Sequence, residues 1–414
     1  MIKSPKRLMA FVGLFFLLLT TGCASYQTKV DKARSSLAAR DYDAALKVLE
    51  PLANKDDGDQ LVYLLDYGTA LQVSGKIGES NKTFLSADKL SEQIDYQSIS
   101  RVAGSLALSE GMVQYKGDTF EKIFINAYLA MNFLEQGKLD DALVEARRIN
   151  EKYQKYRQDE KQKFELNPFS KYLSALTWEA NRDFDDAYIA YHESYKLDPS
   201  ISHIGEDLIR SAKLARRMDT YQDWKKKFPE VKENPDWYNK SLGELVIIYQ
   251  QGWGPRKFPA KNEYRLPAMY PTPSSTKIAR LTIDGGPTMV SHPVYDVQDA
   301  AIKTLKEDYG ILIAKRLAGF ASKAVLADQV RQKNQLLGDL TFLALNIADQ
   351  ADLRQWSMLP QTIQLIRIPL KPGEYKFNLE GLDLSGTPTG ESLKGQTVTI
   401  KSGQKKFIVW RSLK

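Results

Sequence analysis

The stretch Arg182-Asp183-Phe184-Asp185-Asp186-Ala187-Tyr188 decides the fold. A polar turn carrying one apolar residue leads into a helix, and a small residue, Ala187, follows on that helix. Small side chains matter there because paired helices approach closely. The pattern returns at Arg40-Asp41-Tyr42-Asp43-Ala44-Ala45-Leu46, at Gly75-Lys76-Ile77-Gly78-Glu79-Ser80 and at Gly137-Lys138-Leu139-Asp140-Asp141-Ala142-Leu143. Around the first stretch, Ala175 and Trp178 precede, Tyr191 follows, and Leu197-Asp198-Pro199 ends the unit with a residue that cannot continue a helix. In the second unit Gly68 lies twelve residues before Ser80, with Phe84 and Ala87 beyond. Phe124, Ala127, Tyr128, Met131 and Leu134 fall at i, i+3, i+4, i+7 and i+10, one face of a helix.

These units resemble tetratricopeptide repeats (TPRs), stacked pairs of helices. Ala45, Ser80, Ala142 and Ala187 are separated by 35, 62 and 45 residues, where a strict array would repeat at about 34. The resemblance therefore implies an irregular α-solenoid over 23–230, with extra helix around 92–118. Lys225-Lys226-Lys227 closes it with a basic last turn that suits the helix dipole.

Prolines then interrupt 231–276, which reads as an ordered linker holding a short apolar helix or strand, Leu242 to Tyr249. Its aromatics, Trp253, Phe258, Tyr264 and Tyr270, either pack on a neighbour or form a glycan platform. Over 277–414, strand signals at Ile278–Ile283, Thr288–Ser291, Ile363–Leu370, Glu374–Leu379, Thr397–Lys401 and Lys406–Trp410 flank helix at Val297–Lys333 and Leu336–Ala348. The expectation is an α-rich multidomain chain: a TPR-like solenoid, then an α+β domain with an antiparallel sheet and a helical insertion.

The first residues carry a different signal. Lys3, Lys6 and Arg7 precede an apolar run, Leu8 to Leu19, shorter than the roughly 20 residues a membrane-spanning helix needs. That is the form of a secretory signal. Leu19-Thr20-Thr21-Gly22-Cys23 resembles a bacterial lipobox, with Thr20 where Leu is usual. The resemblance implies a signal peptide over 1–22, cleavage after Gly22 and lipid on Cys23. Cys23 is the only cysteine, so an intramolecular disulfide and a Cys-based zinc site are both ruled out. Ala24, rather than Asp, resembles an outer-membrane address facing the periplasm. Removing Lys3, Lys6 and Arg7 takes the formal charge from +7 to +4, too small an excess to call for nucleic acid.

Two further sets of residues resemble a family of largely uncharacterised Gram-negative TPR-containing outer-membrane lipoproteins. One is Tyr115 to Lys122 with Asn126 to Ala130 and Val144 to Asn150. The other is Ala351 to Pro360 with Ile363 to Arg367 and Leu370 to Tyr375. In the first, Glu121, Asn126, Glu145, Arg147 and Arg148 interrupt apolar faces. They form either a polar groove, where Arg147 or Arg148 meets a ligand carboxylate or phosphate, or an internal pair holding two helices in register. In the second, Asp352, Arg354, Trp356 and Arg367 form a recognition patch, or Trp356 caps a core while Asp352 and Arg354 pair. The expected partner-binding residues are Glu121, Asn126, Arg147, Arg148, Arg354 and Trp356. The last strand, ending at Trp410, is a second expected contact through strand addition.

Nothing in the sequence singles out a reaction. The three histidines, His192, His203 and His292, lie in no nucleophile, metal or phosphate motif. No catalytic residue, metal or cofactor is expected. The leading expectation is a non-enzymatic scaffold, tethered by lipid at Cys23, that binds a periplasmic or inner-membrane protein of peptidoglycan synthesis or polymer export through its helical groove. A peptidoglycan or glycan binder using Trp253, Tyr264 or Trp356 is the alternative. A carboxylate-dependent hydrolase drawing on the 51 acids comes third.

Overall fold

The computed structural model describes residues 26–98, 114–158, 163–260, 266–332, 335, 337–339 and 351–414. The expected signal peptide and Cys23 lie outside them. So do most of the extra helix read around 92–118 and most of the helix read at Leu336–Ala348.

Among the described residues ten helices form five hairpins: α1 (Tyr26–Ala38) with α2 (Tyr42–Ala53), α3 (Gln60–Val73) with α4 (Ile77–Ser98), α5 (Thr119–Glu135) with α6 (Leu139–Gln158), α7 (Pro168–Ala180) with α8 (Phe184–Leu197), and α9 (Ile204–Leu214) with α10 (Met218–Lys227). Each hairpin turns on three residues. The middle one is left-handed every time: Arg40 (φ 61°), Gly75 (78°), Gly137 (72°), Arg182 (65°) and Arg216 (60°). The following N–H reaches a carbonyl five residues back, as in Asp41 to Ser36 (2.8 Å) and Arg217 to Ala212 (2.9 Å). That bond satisfies carbonyls the ending helix leaves open. The first residue of each repeated stretch is therefore the helix stop. The small residue five positions later lets the pair close: Ser80 Oγ donates to the Gly68 carbonyl at 2.8 Å, and a Cβ on Gly68 would lie 2.9 Å from the Phe84 ring.

The fifth turn, Ala215-Arg216-Arg217, has no counterpart in the sequence reading. Tyr221 stands five residues after Arg216, where the other four repeats have a small residue.

Strand β1 (Gly243–Gln251) lies inside the segment expected to be a linker. Beyond it come β2 (Arg256–Pro259), β3 (Pro267–Tyr270), β4 (Ile278–Ile283), β5 (Thr288–Val290) and β6 (His292–Asp296). Helix α11 (Val297–Arg331) is then inserted before β7 (Thr362–Leu370), β8 (Gly373–Leu382), β9 (Pro388–Ile400) and β10 (Lys405–Arg411). One sheet runs β10-β1-β7-β6, a second β5-β4-β8-β9, and β2-β3 is a separate ribbon. Among the described residues all pairs are antiparallel except β1 with β10, which is parallel.

The linker expectation is thus corrected: 243–251 is a central strand, and the α+β part begins there. The physical reason is visible in its apolar run. Leu245, Ile247 and Tyr249 pack against the second sheet with Leu281, Phe377 and Leu379. Val246 and Ile248 point the other way, into the core shared with the helices. A strand buried on both faces reads as continuous apolar sequence rather than alternation. The result is three layers: helical array, first sheet, second sheet.

Candidate functional site

The inner helices of the array, α1, α3, α5, α7 and α9, each send polar side chains to the C-terminal part. Residues 354–360 lie along α1, α3 and α5. Trp356 is buried among Phe84, Phe124 and Tyr128, with ring centroids 5.7, 6.1 and 5.0 Å away. Its Nε1 donates to Thr69 Oγ1 (2.8 Å), and its backbone N–H donates to Glu121 Oε1 (2.8 Å). The other Glu121 oxygen accepts from Tyr115 (2.5 Å) and from the Asp118 N–H (3.0 Å), completing a capping box on α5. The Met358 N–H donates to Asp66 (2.9 Å), which also accepts from Tyr26 (2.6 Å). Arg354 holds Asp352 and Asp59, both at 2.7 Å.

Burial pushes the Asp66 carboxyl up to about 7, against the pull of Tyr26 and the Met358 N–H. Burial and then the nearby Asp118 push Glu121 up to about 7 as well.

Most of the expected partner-binding residues are therefore internal. Glu121, Trp356 and Arg354 meet in this seam. Asn126 is fully buried on α5, donating to Glu145 (2.7 Å) and Asp88 (3.2 Å). Arg148 pairs with the same Asp88 at 2.6 Å, and Lys152 joins them. Arg147 is exposed and lies over Trp178, 5.2 Å from its ring centroid. The groove expected to receive a partner is occupied by the protein's own residues 354–360.

Two related expectations also change. Trp253 is buried, with Nε1 donating to the Leu413 carbonyl at 2.9 Å and Arg34 and Arg411 over its ring, so it offers no glycan platform. Tyr264 lies outside the described residues. Strand β10 is the outer strand of its sheet, but Glu135 of α5 covers its edge by accepting from the Val409 N–H at 3.1 Å.

An open site lies at the other end of the seam. A cavity of about 370 Å³ separates the ends of α7 and α9 from the first sheet. Its floor is a closed ionic cluster. Arg367 of β7 reaches Glu244 (2.7 Å), Asp207 (2.7 Å) and Glu179 (3.3 Å). Arg210 of α9 holds Glu179 (3.0 Å) and Asp207 (2.6 Å), and Lys405 adds Glu179 (3.5 Å) and Glu244. Three acids face three bases. Burial works upward on Glu179, but Arg210, Lys405 and Arg367 outweigh it and hold the carboxyl well below its usual range. Against the same burial, Arg367 and Lys405 bring Glu244 down to about 2.

The walls carry Trp237, Tyr238, Met289 and Val290. At the rim His203 and His292 meet edge to face, 4.6 Å between centroids, and Glu206 bonds His203 at 2.7 Å. That bond raises the His203 imidazole; burial and then His203 itself lower His292.

Sequence reasoning picked out Arg367 but not this constellation. The signal available was slight: two of three histidines, far apart in sequence, border Ser-rich or Pro-containing turns. Among the described residues no group of three or more His, Cys, Asp or Glu side chains is arranged to hold a metal ion. No described helix is long and apolar enough to cross a membrane.

No family model matches the chain, and no curated protein sequence matches it. Solved structures resemble about half of it. MamA (AMB-1) is 15% identical, covering 49% of this chain and 89% of its own, with a TM-score of 0.31. BtubC from P. vanneervenii is 13% identical, covering 49% and 80%, with a TM-score of 0.33. A tetratricopeptide repeat protein from Parabacteroides merdae is 11% identical, covering 51% and 82%, with a TM-score of 0.21. At these scores they carry no argument about function. The repeat assignment rests on the five hairpins of this chain, and what that architecture supports is a scaffold for protein–protein interaction.

Proposed function

We propose that the chain is a non-enzymatic lipoprotein of the outer membrane, held by lipid at Cys23 and facing the periplasm. It tethers a protein partner belonging to a machine of peptidoglycan synthesis or envelope polymer export. Helical repeats serve recognition by extended surface, but here the inner face is spent on the chain's own C-terminal part. The docking point accordingly moves from the groove to the open end of the seam. The observation that carries this is the cavity beside Arg367. Its deep charges satisfy one another, while Trp237, Tyr238 and Arg182 line it, and such residues dominate binding hot spots.

The cavity does not favour hydrolysis. A general acid needs a carboxyl that keeps its proton near neutral pH. Glu179 and Glu244 are held ionised instead. The carboxyls that burial raises, Asp66, Glu121, Glu135, Glu145 and Asp296, do not line this cavity.

The test is crosslinking in living cells, followed by purification and mass spectrometry. The intact lipoprotein is compared with Cys23→Ala, Trp237→Ala and Arg147→Glu. One dominant envelope protein, lost in Cys23→Ala and Trp237→Ala but kept in Arg147→Glu, is expected. Loss in Arg147→Glu alone would return the contact to the outer helices. A peptidoglycan-binding reading keeps one observation, the Trp237–Tyr238 wall. Retention of the pure protein on sacculi, abolished by Trp237→Ala and with no protein captured, would favour it.

A further inference from the structure

Among the described residues three large aromatic side chains are strongly exposed: Tyr96 (83%), Phe258 (45%) and Tyr270 (54%). Two of them touch. Phe258 on β2 and Tyr270 on β3 stand 6.0 Å apart between ring centroids. The β2-β3 ribbon belongs to neither four-stranded sheet. A lone two-stranded ribbon is marginal in water, and exposing its aromatics makes it more so. A third aromatic, Tyr309 of α11, leans on the same ribbon, donating to the Pro267 carbonyl at 2.7 Å.

The ribbon is pinned to the first turns of α1. Gln27 donates to the Lys257 carbonyl, and Asp31 pairs with Arg256. Gln27 is four residues from Cys23. An extended chain advances at most about 3.6 Å per residue, so Cys23 lies within about 11 Å of Tyr26 whatever path it takes. Tyr26 is itself fixed, buried and bonded to Asp66 at 2.6 Å. Anything that holds Cys23 at a membrane therefore brings the ribbon to that membrane.

We propose that the face made by Phe258, Tyr270 and Tyr309 rests in the interface of the bilayer that holds Cys23. This rests on the reading of Cys23 as lipidated. Tyr and similar side chains favour that depth because one end is apolar and the other wet. Lys29 and Lys32 lie on the same first turns of α1, and Asp31 between them is neutralised by Arg256. The lipid and the aromatic face then act as two signals, so the body is seated at a fixed tilt rather than swinging on its anchor.

The test uses the full lipidated protein in vesicles of phosphatidylethanolamine and phosphatidylglycerol. Lipid occupies the Cys23 thiol, so Tyr270→Cys supplies one free thiol for an environment-sensitive fluorophore; Tyr96→Cys is the control. Phospholipids carrying a nitroxide quencher should quench the label at 270 at least twofold more than the label at 96. Phe258→Ser should reduce that difference while circular dichroism stays unchanged. Equal quenching at both positions, in protein that floats with the vesicles, would overturn the seating and leave the anchor intact. Protein that fails to float and takes up two labels would overturn the anchor, and this proposal with it.

Discussion

The backbone N–H of Trp356 donates to the Glu121 carboxylate across 2.8 Å, although the two residues are 235 positions apart. Glu121 at the same time caps α5, and Trp356 fills the aromatic pocket behind it. The two stretches that stand out in the sequence are therefore halves of one contact. Removing the indole leaves a cavity in a packed core and takes one donor from the Thr69 hydroxyl, which keeps its own bond to the Leu65 carbonyl. Trp356→Ala should lower stability by about 3–5 kcal/mol. Urea denaturation measures this. A loss under about 1 kcal/mol would mean that residues 354–360 are not seated as described.

Arg367 ties three elements together, binding Asp207 on α9, Glu179 on α7 and Glu244 on β1. Removing one partner from a buried ionic cluster leaves uncompensated charge, at a cost of about 3–5 kcal/mol. Arg367→Met should cost that much. Replacing Glu244 by Gln in the same chain should recover part of it, because an acid then no longer lacks its base. Additive losses in the double variant would speak against a shared cluster.

How much of this was legible in the sequence follows from where each signal lies. The turn stretches are local. A left-handed residue, a helix start and a small residue five positions on fit within one short window, so four of five hairpins were readable. The fifth was hidden by Tyr221 at the small-residue position. In the second sheet β4 and β5 stand where the sequence reading puts them and β8 extends past it at both ends, whereas of β9 only the last residues, from Thr397, are legible as a strand. β1 is bracketed by prolines and continuously apolar from Leu245 to Tyr249, which reads as a helix or strand inside a linker; its burial on two faces is a property of the assembled layers. Glu121, Asn126 and Trp356 were recognised as unusual, but their role was left open. A buried polar residue and a ligand contact look alike until the partner is seen.

Three of the five hairpin turns place Arg, not Gly, in left-handed conformation. A Cβ there crowds the following carbonyl and costs roughly 1–2 kcal/mol. Arg40 and Arg182 are near Glu391 and the Gly403 carbonyl, which complicates their replacement. Arg216 is exposed. Arg216→Gly should raise stability by about 1 kcal/mol, somewhat offset by the greater freedom of glycine in the unfolded chain. Thermal unfolding of the two proteins side by side gives the answer, and a lowered midpoint would contradict the left-handed turn.

The seam also fixes the sign of a pH dependence. Burial holds Asp66 at about 7, above its ordinary 3.8. Between those values the folded protein binds a proton that the unfolded chain has lost, so this group's contribution to stability falls as pH rises. Glu244 acts in the opposite sense, since its carboxyl is lowered to about 2. Its stabilising effect is complete once the unfolded chain's glutamates are ionised, above about pH 5. From pH 5 to 7 the Asp66 slope is therefore separable from it. Asp66→Asn removes the titration and keeps an oxygen for Tyr26 or the Met358 N–H. The variant should lose less stability than the parent between pH 5 and 7, by up to about 1.4 kcal/mol per pH unit. Parallel pH profiles for the two proteins would mean that Asp66 stays ionised in the fold, and that the contact between helices and residues 354–360 admits water.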